Sequence, residues 1–193
     1  MSTATNVLTA PPRQGPAARK LSRTVTPTQT EVFFERNDLI VSKTDLKGNL
    51  TYVNEIFLRI SEYSEAELLG QPHSFIRHPS MPRCVFKLLW DRLQAGAEIF
   101  AYVKNMTKSG AYYWVLAHAT PSVTASGEVV GYHSNRRVPE RKAVDVIVPL
   151  YAALKSIEDT ETDRRAGLMK SSQHLQDILS KKGIGYDEFI HGL

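Results

Sequence analysis

IFAYVKNMTKSGAYYWVLAHATPSVTASGEVVGYHSNRR, residues 99–137, reads as three consecutive β-strands. The runs Ile99 to Thr107, Tyr112 to Thr124 and Val129 to Arg137 are dense in β-branched and aromatic side chains, which suit a pleated, half-buried surface. Lys108-Ser109-Gly110 and Ala125-Ser126-Gly127 separate them, each with a glycine where a tight turn needs one. Strands joined by turns this short pair antiparallel, so the segment predicts a meander.

Upstream the period changes from two to that of a helix. Val85, Leu88, Leu89 and Leu93 recur at helical spacing, and Phe86 and Trp90 widen the apolar face. Ser80 is the expected N-cap of this helix, with Pro82 in its first turn and Gly96 at its end. Residues 71–79, with two prolines and two histidines, read as a loop. Ser64 and Glu67 have capping-box spacing for a short helix ending at Gly70, and Asn54 is placed to cap another carrying Ile56, Phe57 and Ile60. Before these, Leu39-Ile40-Val41 and Leu50-Thr51-Tyr52-Val53 flank the turn from Asp45 to Asn49, a β-hairpin pattern. Two strands, short helices, one longer helix and three strands predict an α+β fold. Its five-stranded antiparallel sheet carries short helices on one face and leaves room between the layers for a small ligand.

The flanks differ from this centre. Residues 1–30 contain Pro11, Pro12, Pro16 and Pro27 and few large apolar side chains, so they are expected to form a flexible arm that orders in part on the domain or a partner. The central domain is expected over 31–140. Residues 141–193 then form a helical extension for packing, dimerisation or partner contact. Within it, Ala143, Ile147, Leu150, Leu154 and Ile157 make a short heptad-like seam. Met169, Leu175, Ile178 and Leu179 suggest a second amphipathic helix, broken at Gly183 and Gly185, and Tyr186 to Ile190 read as a mixed tail.

Composition narrows the function classes. The net charge of +4 is scattered rather than focused into a stripe, which argues against nucleic acid as a partner. One cysteine, Cys84, excludes an internal disulfide and a multi-thiolate zinc site. No run approaches the roughly 18 apolar residues of a membrane span, and the N-terminus lacks an apolar signal core, so a soluble cytoplasmic protein is expected. No P-loop, nucleophile elbow or metal-ligand spacing occurs, so no enzyme is expected.

Residues from about 36 to 155 resemble the PAS domain of bacterial aerotaxis receptors and related energy-taxis sensors. The likeness is carried by Thr44-Asp45-Leu46 with Gly48, Tyr52-Val53-Asn54 and Phe57, Glu67-Leu68, and Gly70-Gln71-Pro72-His73. It continues through Arg77-His78-Pro79 with Met81-Pro82, Phe86, Trp90, Val103-Lys104-Asn105, Gly110, Tyr113-Trp114-Val115, and Gly131-Tyr132 with Ser134 and Arg136. The chain departs from the pattern at Ser80, where the family has Asp, at Ile99, where it has Trp, and at Glu62, where it has Gly.

The resemblance implies a noncovalent FAD in the PAS cavity and a signal passed in trans to a chemoreceptor or histidine-kinase partner. The cofactor-binding set it implies is His73, Arg77, His78, Trp90, Asn105, Asn54 and Tyr113. The residue types suit the task. Trp90 offers an aromatic wall, Asn105 both a donor and an acceptor, and Arg77 a positive fork for a diphosphate or an anionic reduced ring. His73 and His78 belong to the residue type that titrates near neutral pH, so either is a candidate to follow a proton taken up on reduction. Two other readings compete. One is a haem-binding PAS sensor of oxygen with His118 or His133 as axial ligand. The other is a cofactor-free module forming a homodimer through the seam that begins at Ala143.

Overall fold

The computed structural model describes residues 25–193, so most of the expected arm lies outside the described residues. The sheet comprises β1 (Ile40–Thr44), β2 (Leu50–Val53), β3 (Ile99–Met106), β4 (Tyr112–Val123) and β5 (Val129–Arg137), in the spatial order β2-β1-β5-β4-β3, with every neighbouring pair antiparallel. Because β2 and β3 lie at opposite edges, the chain between them must cross one face of the sheet. That crossing carries α1 (Glu55–Ser61), α2 (Glu65–Leu68), a 3-10 turn (His73–Ile76) and α3 (Arg83–Gln94). The turn occupies a stretch expected to be a loop.

Local chemistry fixes the crossing. The Asn54 side chain accepts from Phe57 N–H at 3.1 Å and Val41 N–H at 3.0 Å and donates to the Leu39 carbonyl at 2.7 Å, so it caps α1 and pins it to β1 together. Glu67 closes the capping box by accepting from Ser64 N–H at 2.9 Å, and it takes a further hydrogen bond from Lys108. Phe57, Ile60, Leu68, Val85 and Leu93 pack under the sheet in the core.

Ser80 does not cap α3. The two N–H groups at its start, those of Arg83 and Cys84, donate to the Glu158 carboxylate at 2.8 and 2.9 Å. Glu158 lies in α4 (Arg141–Thr160), which with α5 (Arg164–Lys182) and α6 (Tyr186–His191) makes up the C-terminal extension. The tail expected at 186–190 is thus a helix, with Tyr186, Phe189 and Ile190 buried.

The extension packs on the domain. The Tyr151 hydroxyl donates to the Tyr102 carbonyl at 3.0 Å, and the Tyr151 ring sits 6.2 Å from Trp114. Tyr102 and Trp114 alternate with cavity-facing neighbours, so α4 covers the face of β3 and β4 that points away from α1–α3. Ala143, Ile147 and Leu154 of the heptad-like seam are buried within the chain, and Leu150 and Ile157 are partly buried. The buried stripe of α5 is Gly167, Ser171, Leu175 and Leu179, whereas Met169 is exposed. Small residues lead this stripe because α4 is close: a Cβ on Gly167 would lie 2.9 Å from the Glu158 carbonyl oxygen.

The end of the arm also lies on the domain. Thr28 N–H donates to Gly110 O at 2.8 Å, Tyr112 N–H to Thr30 O at 2.9 Å, and Val32 N–H to Tyr112 O at 2.7 Å. Among the described residues no helix is long and apolar enough to cross a membrane, and no cluster of His, Cys, Asp or Glu could hold a metal ion.

Candidate functional site

Between the inner sheet face and the crossing helices is a cavity of about 290 Å³. Its floor is set by alternation along the strands. β4 turns Ala117 and Ala119 inward, β3 turns Val103 and Asn105, and β5 turns Tyr132, Ser134 and Arg136. The two alanines hold space open under the sheet. The roof is α3, through Phe86, Leu89, Trp90 and Leu93, with His73 of the 3-10 turn beside it.

Trp90 is held edge-on to Tyr132, with centroids 5.3 Å apart at 82°, and its ring abuts Gly48. Gly48 has φ of +80°, and its carbonyl accepts from His73 N–H at 2.8 Å. One turn residue therefore joins β1–β2 hairpin, 3-10 turn and α3 at the cavity wall.

Electrostatically the site is one-sided. Lys47, Arg77 and Arg136 line it, and among the described residues no aspartate or glutamate does. The Arg77 guanidinium lies 4.5 Å over the Phe86 ring. Arg136 is 3% exposed and donates from Nη2 to Ser42 Oγ at 2.7 Å and to His73 Nε2. Burial pushes its guanidinium down to about 10. A guanidinium has no acceptor, so His73 Nε2 must carry the lone pair, and the ring is neutral with its proton on Nδ1. Burial, reinforced by Arg136, holds His73 well below the usual histidine range. The expectation that His73 titrates near neutral pH is corrected accordingly for the ligand-free protein.

Three buried polar atoms of lining residues have no hydrogen-bond partner among the described residues: Thr44 Oγ1, Asn105 Nδ2 and Arg136 Nη1. Buried polar groups are nearly always satisfied in folded proteins, so these three atoms are available to a ligand in the cavity.

Comparison with known proteins agrees with the architecture. Residues 50–136 match the PAS fold family. The chain carries a PAS domain. It is 39% identical over 117 residues to the aerotaxis receptor of Escherichia coli, an alignment covering 61% of this chain and 23% of that protein. It is 29% identical over 103 residues to a nitrogen fixation regulatory protein of Klebsiella pneumoniae, covering 53% of this chain and 21% of that one. The chain thus spans less than a quarter of the length of these relatives. A light-oxygen-voltage domain solved in work on a flavin analogue superposes with a TM-score of 0.51 at 20% identity, over 57% of this chain and 84% of that one.

Of the expected site residues, the PAS cavity brings together His73, Arg77, Trp90 and Asn105. Asn54 is outside it, committed to capping α1. Tyr113 is fully buried behind Asn105, its register partner on β4, and stacks edge-on with Phe34 at 6.3 Å. His78 is buried outside the cavity, where its Nδ1 accepts from the Ser80 hydroxyl at 2.7 Å and its ring meets Tyr112 at 5.9 Å. Ser80 thereby takes a partner's role toward His78 at the position where the family has Asp. Glu62, where the family has Gly, keeps a left-handed backbone with φ of 65° and compensates by accepting from Ser109 N–H at 2.7 Å. His118 faces away from the cavity, stacked on Phe100 at 4.1 Å and bonded to Glu98. Cys84 also lies outside the cavity, and burial raises its thiol to about 11. Among the lining residues absent from the expected set are Thr44 and Arg136. For Arg136 a signal existed: it is in phase with Tyr132 and Ser134 on a strand whose inward face fronts a ligand space.

Proposed function

We propose that this PAS domain binds FAD noncovalently, seats the isoalloxazine ring in the cavity, and reports the ring's redox state to a chemoreceptor or histidine-kinase partner. The observation that carries this reading is the trio of buried polar atoms, Thr44 Oγ1, Asn105 Nδ2 and Arg136 Nη1, that have no partner among the described residues, around one cavity that no described carboxylate lines. A flavin's pyrimidine edge presents carbonyl oxygens and ring nitrogens to such donors, and its apolar rings suit Trp90, Leu89 and the two alanines. A volume of about 290 Å³ suits a tricyclic ring rather than a whole dinucleotide. The diphosphate end then lies toward Lys47, which is exposed, and Arg77, which is partly buried. The cofactor supplies reversible electron acceptance, and the chain supplies orientation, charge and readout.

The route outward is α3. The helix that presents Trp90 to the cavity is tied at its other end to Glu158 of the extension, so a shift of the Trp90 wall moves the seat of α4 and α5. The names of the relatives, an aerotaxis receptor and a nitrogen fixation regulator, support a signalling role. With His118 turned away and stacked on Phe100, the haem reading keeps one of its two candidate ligands, His133, which lines the cavity.

The test is equilibrium dialysis of ligand-free protein against FAD, FMN, riboflavin and haem. Saturation at one FAD per chain, with no saturable haem binding, is expected. Absence of saturable FAD binding overturns the proposal.

A further inference from the structure

We propose that Arg136 is the residue by which the cavity tells the reduced ring from the oxidised one, an inference that rests on the FAD reading above. Arg136 is a buried cation without a counter-charge. Among the described residues its contacts are Ser42 Oγ, His73 Nε2 and the face of Phe57 at 5.4 Å, all neutral, and Nη1 has no partner. Burying a charge in this way is costly unless something pairs with it. A guanidinium does not shed its proton at physiological pH, so the compensating negative charge must arrive with the ligand.

Reduction provides that charge. The oxidised ring is neutral. A bound flavin that accepted two electrons from a reductant such as dithionite, together with one proton, would carry one negative charge, which the free N–H of Arg136 at the cavity wall would take up. A charge-assisted hydrogen bond then forms that the neutral ring cannot match in strength. No other group near Arg136 takes over this balance. His73, on the 3-10 turn, is already the acceptor for Arg136, whose charge opposes a second proton there. Tyr113, on β4, is kept protonated by burial. Ser42 on β1 and Phe57 on α1 do not titrate in the physiological range. The remaining charged or titratable lining groups, Lys47, Arg77 and His133, carry no negative charge.

Arg136 is therefore a strained element of the ligand-free protein, stabilised by the reduced ligand. A purely structural arginine would behave in the opposite way, because its removal would lower stability and leave ligand preference alone. Arg136→Met and Arg136→Gln remove the charge, and Arg136→Lys keeps it. Two quantities are measured on each: the melting temperature of FAD-free protein, and the dissociation constants for oxidised FAD and for FAD reduced anaerobically with dithionite.

Arg136→Met is expected to melt above wild type when FAD-free. It should also lose about tenfold or more of the preference for reduced over oxidised FAD. Arg136→Gln should lose the same preference, and Arg136→Lys should retain most of it. Equal weakening for both redox states, a wild type that binds both states equally, or failure of both neutral variants to fold assigns Arg136 a structural role and overturns the inference. A wild type that binds FAD in neither state overturns the FAD reading itself, which separates the two failures.

Discussion

Glu158→Ala lowers the stability of the protein by about 3 kcal/mol, at the lower end of the range for removing one member of a buried charged pair. Four donors converge on this carboxylate: the N–H groups of Arg83 and Cys84, the Arg83 side chain at 3.0 Å, and the Ser171 hydroxyl at 2.9 Å. The Glu158 side chain is fully buried while Arg83 keeps some exposure and a second bond, 2.8 Å to the Arg164 carbonyl. Removing the carboxylate therefore strands the two backbone donors and Ser171, and it leaves the positive end of the α3 dipole uncompensated. For a protein of this size the loss corresponds to a fall of roughly 6–12 °C in melting temperature, read by calorimetry. Glu158→Gln keeps one acceptor and should cost about half as much.

The pH dependence has a definite sign. Burial pushes the Glu158 carboxyl up, but the backbone donors, Ser171 and Arg83 together outweigh it and hold the group below its ordinary value. A depressed carboxyl contributes stability above its unfolded value of about 4.3 and loses that contribution as pH falls through the folded value. The gap in melting temperature between wild type and Glu158→Gln should accordingly be full at neutral pH and close as the solution is acidified below about pH 4. A gap that stays constant through that range contradicts the role given to the carboxylate.

Gly48→Ala is expected to impair the ligand site more than the fold. The turn around it is well specified. Asp45 Oδ1 accepts from the N–H groups of Lys47 and Asn49 at 2.8 Å each, and Gly48 N–H donates to the Asp45 carbonyl at 3.1 Å. At φ of +80° an L-residue costs about 1–2 kcal/mol. The added Cβ would also lie 2.9 Å from Cη2 and Cζ2 of Trp90. The rigid indole can give way only by tilting, and doing so disturbs the wall it shares with Tyr132. Stability should fall by about 1–2 kcal/mol, and FAD affinity by a further tenfold or so beyond what unfolding accounts for, measured by dialysis on folded protein. An unchanged dissociation constant would mean that Trp90 does not bound the ring.

What was legible in the sequence was whatever is local. The meander, the hairpin, the Asn54 cap and the Ser64–Glu67 box each depend on residues within a few positions of one another, and each is formed. Ser80 misled because a serine before a proline-led helix looks like a cap, while the real one, Glu158, lies 75 residues away in sequence. Such a partner becomes visible only when α4 has been laid against α3. The small-residue stripe of α5 was hidden for the same reason, since Gly167 and Ser171 have no hydrophobic signal and matter only through the helix they touch. In the cavity, residues identified by motif divided according to direction. Arg77 and His78 are adjacent, but only Arg77 reaches the lining. Arg136 lay within the matching pattern, yet its weight comes from a missing partner, a property of the assembled site and not of any short stretch of sequence.

The central claim is tested most directly by the visible spectrum of the purified protein after incubation with FAD and gel filtration, recorded before and after dithionite. The account predicts the absorbance bands of an oxidised flavin eluting with the protein, bleaching on reduction and returning in air. A protein that emerges colourless, with all FAD in the small-molecule fraction, would contradict it.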